Sequence, residues 1–390
     1  MKKTEIRKKM ATAILTTFPL ISAIAYAGPL SMPSPLTFDA GPLGKLDVQG
    51  IASAFGFWQD NMPAITGFGG KKTGADISNG MVIIQKTTGQ LQFYAQAGVF
   101  NYPVVGVSYT STPNTINDFG ALPIAYIKYA PTSDLSFEIG KLPALLGAES
   151  NFTYQNINIQ RGLLFNVEPG VSRGIQANYS TGPFSASISW NDGYYSNRFN
   201  WITGLFSYAI NGANTLSLYA GGNVGHTGNL GVGNYSTDSY VNSSLAADNS
   251  DIYGLIYEYS SGSWMIEPYL QYMHTPANAA AGITSGSSNY GGALLADYSF
   301  TNSISLAGRV EYIAATGTPG DGGVSGADIL GYGNGSHAWT ITVTPTYQDG
   351  GFFARAELSY VDVSNYTAAF GANGTNGTQL RGLVETGFMF

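Results

Sequence analysis

Beyond residue 27, no window of this 390-residue chain approaches the ~18 consecutive apolar residues that a membrane-spanning helix needs. What recurs instead is a segment of about ten residues with period-two alternation, rich in Tyr, Phe, Val, Ile and Thr and closed by a tight polar turn. Leu216, Leu218, Ala220, Gly222 and Val224 share one face, and Ser217, Tyr219, Gly221 and Asn223 share the other. Ile304, Leu306, Gly308, Val310 and Tyr312 oppose Ser305, Ala307, Arg309 and Glu311. Trp339, Ile341, Val343, Pro345 and Tyr347 oppose Thr340, Thr342 and Thr344. Each such strand has a greasy face that must be covered, either by a second sheet or by lipid. Composition decides between them. Only 11% of residues are charged, against roughly 25% in soluble domains, so the chain cannot coat a large water-soluble surface. Mean hydropathy is +0.01, too low for a bundle of membrane helices. Lipid outside and water inside is the arrangement that fits.

The first residues form an address. Lys2, Lys3, Arg7, Lys8 and Lys9 make a basic region, Ala11 to Ile24 an apolar one, and Ala25-Tyr26-Ala27 supplies the small residues a signal peptidase reads. Cleavage is expected after Ala27, which leaves 363 residues with 12 basic and 23 acidic groups. The formal charge of the whole chain, −7, argues against nucleic acid as a partner. The absence of cysteine excludes a disulfide scaffold, a thiolate metal site, a cysteine nucleophile and a lipid anchor on cysteine. Gly28 to Lys45, with Pro29, Pro33, Pro35 and Pro42, cannot be an ordinary central strand and is expected as a periplasmic lead-in.

The turns permit a strand count. Short reversals fall at residues 87–89, 131–133, 180–182, 211–214, 260–262, 301–302 and 348–351, built from Gly, Asn, Asp, Ser, Thr and Pro. Seven hairpins, one strand before them (about Leu46 to Phe57) and one after (about Thr378 to Phe390) total sixteen. Eighteen would follow if Phe152 to Gln160 paired as an additional strand. Longer connections span about 58–79, 102–121, 142–171, 192–198, 226–249, 276–287, 316–335 and 364–377. The expected architecture is therefore all-β: an antiparallel up-and-down transmembrane barrel over 46–390, with short periplasmic turns and long outer loops. Phe390, Phe388, Val384 and Leu380 fall on one face of the last strand, and a terminal phenylalanine there resembles the signal that outer-membrane assembly machinery reads.

The run GKLPALLGAESNFTYQNINIQRGLLFNVEPGVSRGIQANYS, Gly140 to Ser180, resembles the signature region of the OmpL-like beta-barrel porins. NDGYYSNRFNW, Asn191 to Trp201, and IIQKTTGQLQFYAQAGVFNYPVVG, Ile83 to Gly106, resemble the same family. The likeness is strong over about 46–210, and barrel patterning carries it thereafter. It implies an outer-membrane channel for small hydrophilic solutes or ions, and sixteen-stranded porins lead one to expect a homotrimer.

The third outer loop, about Leu142 to Val171, is the longest, and a thirty-residue connection calls for a functional reason. In sixteen-stranded porins generally, a long third loop folds into the lumen. Lys141, Glu149, Arg161, Glu168 and Arg173 lie in or beside it, a concentration of charge in a charge-poor chain. Arg309 with Glu311, Arg355 with Glu357, and Arg381 with Glu385 all lie on the face away from lipid. The expectation is a constriction across which Glu149 and Glu168 face Arg309, Arg355 and Arg381, with a transverse field that orients solutes. The competing expectation is that each Arg-x-Glu pair neutralises itself on the inner wall.

Other conspicuous residues carry less. The stripe Tyr253, Leu255, Tyr257 and Tyr259 fits an interfacial aromatic girdle better than a sugar slide. His226, His274 and His337 have no common spacing, so neither a metal site nor a catalytic motif is expected, and no cofactor is implied. An enzyme is the weakest reading. A surface adhesin or structural barrel with a blocked lumen is the alternative to a porin, because the outer loops are long and rich in Asn, Ser, Thr and Gly.

Overall fold

The computed structural model describes residues 27–62, 71–227, 245–279, 283–317 and 328–390. The basic and apolar leader with Ala25 lies outside the described residues, as do parts of the first, fifth, sixth and seventh long connections. A short strand, β1 (Leu36–Asp39), precedes sixteen long ones. These are β2 (Lys45–Gln59), β3 (Thr73–Lys86), β4 (Leu91–Phe100), β5 (Ile124–Tyr129), β6 (Leu135–Pro143), β7 (Val171–Thr181), β8 (Phe184–Asn191) and β9 (Trp201–Ala209). They continue with β10 (Asn214–Asn223), β11 (Asp251–Ser261), β12 (Trp264–Thr275), β13 (Ser287–Ser299), β14 (Ile304–Ala315), β15 (His337–Asp349), β16 (Phe352–Ser364) and β17 (Thr378–Met389). All seven short turns fall where the Gly, Asn, Asp and Pro chemistry places them.

Each strand from β2 to β17 pairs antiparallel with its neighbours in sequence, and β17 pairs back onto β2 from Arg381↔Gln59 to Met389↔Ile51. The sheet is a closed barrel of sixteen strands. Closure leaves no open sheet edge in a medium without water, where an unpaired peptide group costs several kcal/mol. Phe152 to Gln160 does not add a strand, so the eighteen-strand alternative fails. That segment contains a 3₁₀ turn, Thr153–Gln155, and spends its polar groups on the inner wall instead. The additional strand is β1, which pairs with Lys45–Val48 of β2 beyond the end of β17.

The register sorts side chains as the alternation requires. Ile341, Val343, Leu358, Tyr360 and Val384 point outward and are exposed, whereas Thr340, Thr342, Ser359, Arg381 and Glu385 point inward. Tyr253 and Leu255 are on the outer face with Leu218 and Leu270. At the seam, Phe390 exchanges backbone hydrogen bonds with Gly50 at 2.9 and 3.0 Å. A Cβ added to Gly50 would lie 2.3 Å from the Phe390 ring, so glycine is what lets the terminal aromatic settle there.

Candidate functional site

Residues 144–170 connect β6 to β7 and fold into the barrel rather than over it. The cause is visible in their composition. Leu146, Phe152, Tyr154, Ile157, Ile159, Leu163, Leu164 and Val167 are all buried, and they meet apolar side chains on the inner wall. Ile159 packs with Phe55, Phe57 and Leu383; Ile157 and Leu164 pack with Tyr269, Ala293, Leu295 and Ala307. Removing such surfaces from water is worth roughly 1.5–3 kcal/mol per large side chain, which holds an otherwise irregular segment in place.

Polar contacts fix its height and register against β14, β16 and β17. Arg309 donates to Glu149 Oε1 at 2.6 Å and to the Gln160 carbonyl at 2.8 Å, and its Nε lies 3.1 Å from Glu311. Glu311 accepts the backbone N–H groups of Leu163 and Leu164. Arg355 pairs with Glu385 on the neighbouring strand and donates to the carbonyls of Asn156 (2.9 Å) and Thr153 (3.0 Å). Glu357 accepts from the backbone of Ile159 and Gln160 and from the Thr344 hydroxyl. Arg381 donates to Gln160 Oε1 and, from the second long loop, to the carbonyls of Val104 and Val107. Arg161 ties the third loop to itself through the carbonyls of Ser150, Asn151 and Ile159.

This placement differs from charges opposed across an open gap. Glu149 touches Arg309 directly, Arg355 meets carbonyl oxygens of the third loop, and Arg381 meets Gln160 Oε1 and carbonyl oxygens of the second long loop. Neither does each Arg-x-Glu pair simply neutralise itself: Arg309 and Glu311 do, but Arg355 pairs across strands and Glu357 binds the loop. Among the described residues Glu168 forms no ion pair with an arginine, and both its carboxylate oxygens are buried without a hydrogen-bond partner; a Cβ on Gly147 would fall 1.8 Å from one of them. Burial without a partner, with Glu149 and Glu311 nearby, pushes the Glu168 carboxyl well above the ordinary carboxylate range.

Lys141 and Arg173 stand apart from this network, at the rim that carries the long loops. They are register partners. Lys141 Nζ donates to the Phe119 carbonyl, while Arg173 pairs with Asp192 at 2.7 Å and lies over the Tyr195 ring.

Toward the short-turn rim the inner wall changes character. Ser136, Gln176, Asn178, Ser185, Ser187 and Ser207 face inward on β6 to β9, and Gln176 and Ser187 both donate to Asn178 Oδ1. Lys128 and Glu138 form an ion pair at 3.3 Å. Glu258 and Glu267, inward on β11 and β12, lie at adjoining positions of that hairpin. Sequence reasoning passed over Lys128, Glu138, Glu258 and Glu267, although each stands at a polar position of an alternating strand. It also missed the apolar inward residues such as Phe55, Phe57 and Leu295, whose signal was a strand apolar on both faces.

A closed sixteen-stranded barrel, apolar outside, with a long third loop drawn into its interior, is a bacterial outer-membrane protein of the porin type. The chain belongs to the family "Putative beta-barrel porin-2, OmpL-like", whose model matches residues 45–390. Its structure is similar to the outer membrane channel DcaP of Acinetobacter baumannii (TM-score 0.57, 12% identity, covering 92% of this chain and 100% of that one). It is also similar to an anion-selective porin from Comamonas acidovorans (TM-score 0.57, 11% identity, 88% and 99%). A third likeness is to the trimer form of OmpT, an outer membrane protein of Vibrio cholerae (TM-score 0.52, 10% identity, 88% and 99%). Comparison with curated proteins gave no match. At such identities the structural likenesses establish the fold. The short turns accordingly face the periplasm and the long loops the exterior.

Proposed function

We propose that this protein is a narrow porin in which small hydrophilic solutes or ions enter a polar periplasmic vestibule and pass a constriction made by the third loop. The carrying observation is that loop's attachment: its hydrogen bonds run to β14, β16 and β17, while the periplasmic half of β6–β9 carries small hydroxyl and amide side chains. On this reading Glu149, Arg161, Arg309, Glu311, Arg355, Glu357, Arg381 and Glu385 hold the constriction in shape, and Lys141 and Arg173 order the outer rim. A homotrimer is supported by the likeness to the trimeric OmpT form.

The interior charges set the expected preference. Lys128, Arg161, Arg309, Arg355 and Arg381 are outnumbered by Glu138, Glu149, Glu258, Glu267, Glu311, Glu357 and Glu385. Glu258 and Glu267 form the acidic excess nearest the vestibule. A lumen of that sign concentrates cations. Reconstituted in a planar bilayer under a potassium chloride gradient, the protein should give small stepwise conductances with a reversal potential of cation-selective sign, reduced by the double change Glu258→Gln and Glu267→Gln. An anion-selective sign would contradict the preference while leaving the porin reading intact.

The second reading, a barrel held shut as a structural or adhesive element, has its own observation. In the outer half, Leu163, Trp201, Met273, Ile313, Tyr332 and Phe370 join one apolar cluster that reaches across the interior. Absence of conductance from correctly folded, heat-modifiable protein would favour it. A catalytic role has little support. His274 Nδ1 lies 3.0 Å from the Ser288 hydroxyl at the outer rim, but Tyr272 shares that hydroxyl and, among the described residues, no carboxylate bonds the His274 ring. A rim hydrolase needs a group that orients its base.

A further inference from the structure

The lead-in before β2 is fastened along the periplasmic mouth from one side of the barrel toward the other. It starts, reading backward, at β1 on the edge of β2. Gln49 Nε2 then holds the Pro33 carbonyl at 2.8 Å. Gln348, at the β15–β16 turn, takes Ser31 in both directions: it accepts from the backbone N–H at 3.0 Å and donates to the carbonyl at 2.7 Å. Leu30 is buried in one apolar cluster with Ile51, Phe353 and Met389. At the end of this path the Gly28 nitrogen donates to Asp297 Oδ2 at 2.9 Å.

Asp297 is an odd residue to find there. It faces inward on β13 and is only 2% exposed, and among the described residues no lysine or arginine forms an ion pair with it. A buried carboxylate without a cation is costly. Besides the Ser305 side chain and the Tyr298 backbone, it binds the nitrogen of the residue that the leader sequence leads one to expect as the first of the mature chain. Ala25-Tyr26-Ala27 would direct cleavage to the Ala27–Gly28 bond. Hydrolysis there breaks the amide C–N bond, adds water, and leaves a carboxylate on Ala27 and an amine on Gly28. That amine takes up a proton near neutral pH. One amide N–H becomes an ammonium with three donors and the missing positive charge.

We infer that Asp297 is a binding site for the chain's own α-ammonium. Removal of the leader converts a neutral hydrogen bond into a buried ion pair and locks the lead-in across the periplasmic mouth. The ligand class is a primary ammonium, and the site is completed only by processing.

The test uses the mature protein purified from outer membranes. Intact mass and N-terminal identification should give Gly28 as the first residue. An amine-acylating reagent near neutral pH should label the Gly28 amine at least about tenfold more slowly in the folded protein than after heat unfolding, because an ion-paired, buried ammonium is both protonated and shielded. Asp297→Asn should abolish that protection while heat-modifiable mobility is retained. A chain that begins elsewhere, equal labelling of folded and unfolded wild type, or full protection in folded Asp297→Asn would each overturn the inference. The first two outcomes need no variant, so a failure of Asp297→Asn to fold leaves the test decisive.

Discussion

Arg355 illustrates how one side chain carries both stability and shape. It pairs with Glu385 and at the same time holds two carbonyl oxygens of the third loop. Arg355→Ala leaves Glu385 buried without its cation and should cost about 3–5 kcal/mol. Thermal unfolding followed by loss of heat-modifiable mobility should report the lower stability, and single-channel records should show a larger, noisier conductance as the loop loosens. Unchanged conductance and selectivity would remove Arg355 from the constriction. Glu168 gives a pH signature of the opposite kind. Its carboxyl is raised in the folded state, so the folded chain keeps a proton that the unfolded chain releases in the ordinary carboxylate range. Stability is therefore greatest in acid and declines as pH rises from the unfolded pKa to the folded one, then levels off. Glu168→Gln should flatten that decline in melting temperature between mildly acidic and alkaline buffers. An unaltered slope would show that Glu168 is not its source. Which residues face inward was legible from alternation alone, as Arg309, Arg355 and Arg381 show. Which partner each would meet was not, because loop residues such as Gln160 and Asn156 have no periodicity to place them.

The strands were the legible elements, since a period of two and a glycine- or asparagine-rich turn each have a local cause. The destination of the third loop is non-local. Its clue was chemical: Ile157, Ile159, Leu163 and Leu164 are too apolar for a solvated outer loop, and Phe55, Phe57 and Leu295 are too apolar for a watery wall. Each set makes sense only when packed on the other. The lead-in was similarly half legible: its prolines excluded a central strand, yet Leu36–Asp39 still pairs as β1 at the one place where β2 outlasts β17. The seam between β2 and β17 makes an element-scale prediction. Gly50→Val would put side-chain carbon where the Phe390 ring sits, so the terminal aromatic must leave the seam and closure of the last strand is weakened. The variant should accumulate as unfolded, protease-sensitive protein in outer-membrane preparations, whereas Ala52→Val, also outward on β2, should assemble normally. Equal assembly of both variants would show that the contact is dispensable.

At the scale of the whole molecule, the barrel is divided by height. In the periplasmic half β6 to β9 are polar and β11–β12 carry Glu258 and Glu267, while Leu30, Ile51, Phe353 and Met389 are apolar; the middle is crossed by a loop bonded to three strands, and the outer half is bridged by an apolar cluster. Sixteen strands alone would enclose a wide aqueous channel. The third loop crosses that interior, and its setting of the constriction is the proposal on which the functional account depends. The most direct measurement compares single-channel conductance of the wild type with a variant in which residues 151–166 are replaced by a short glycine-serine linker, both checked for heat-modifiable folding. The account predicts small conductance steps from the wild type and steps several times larger from the variant. Equal conductance in the two, or silence in both, would contradict it.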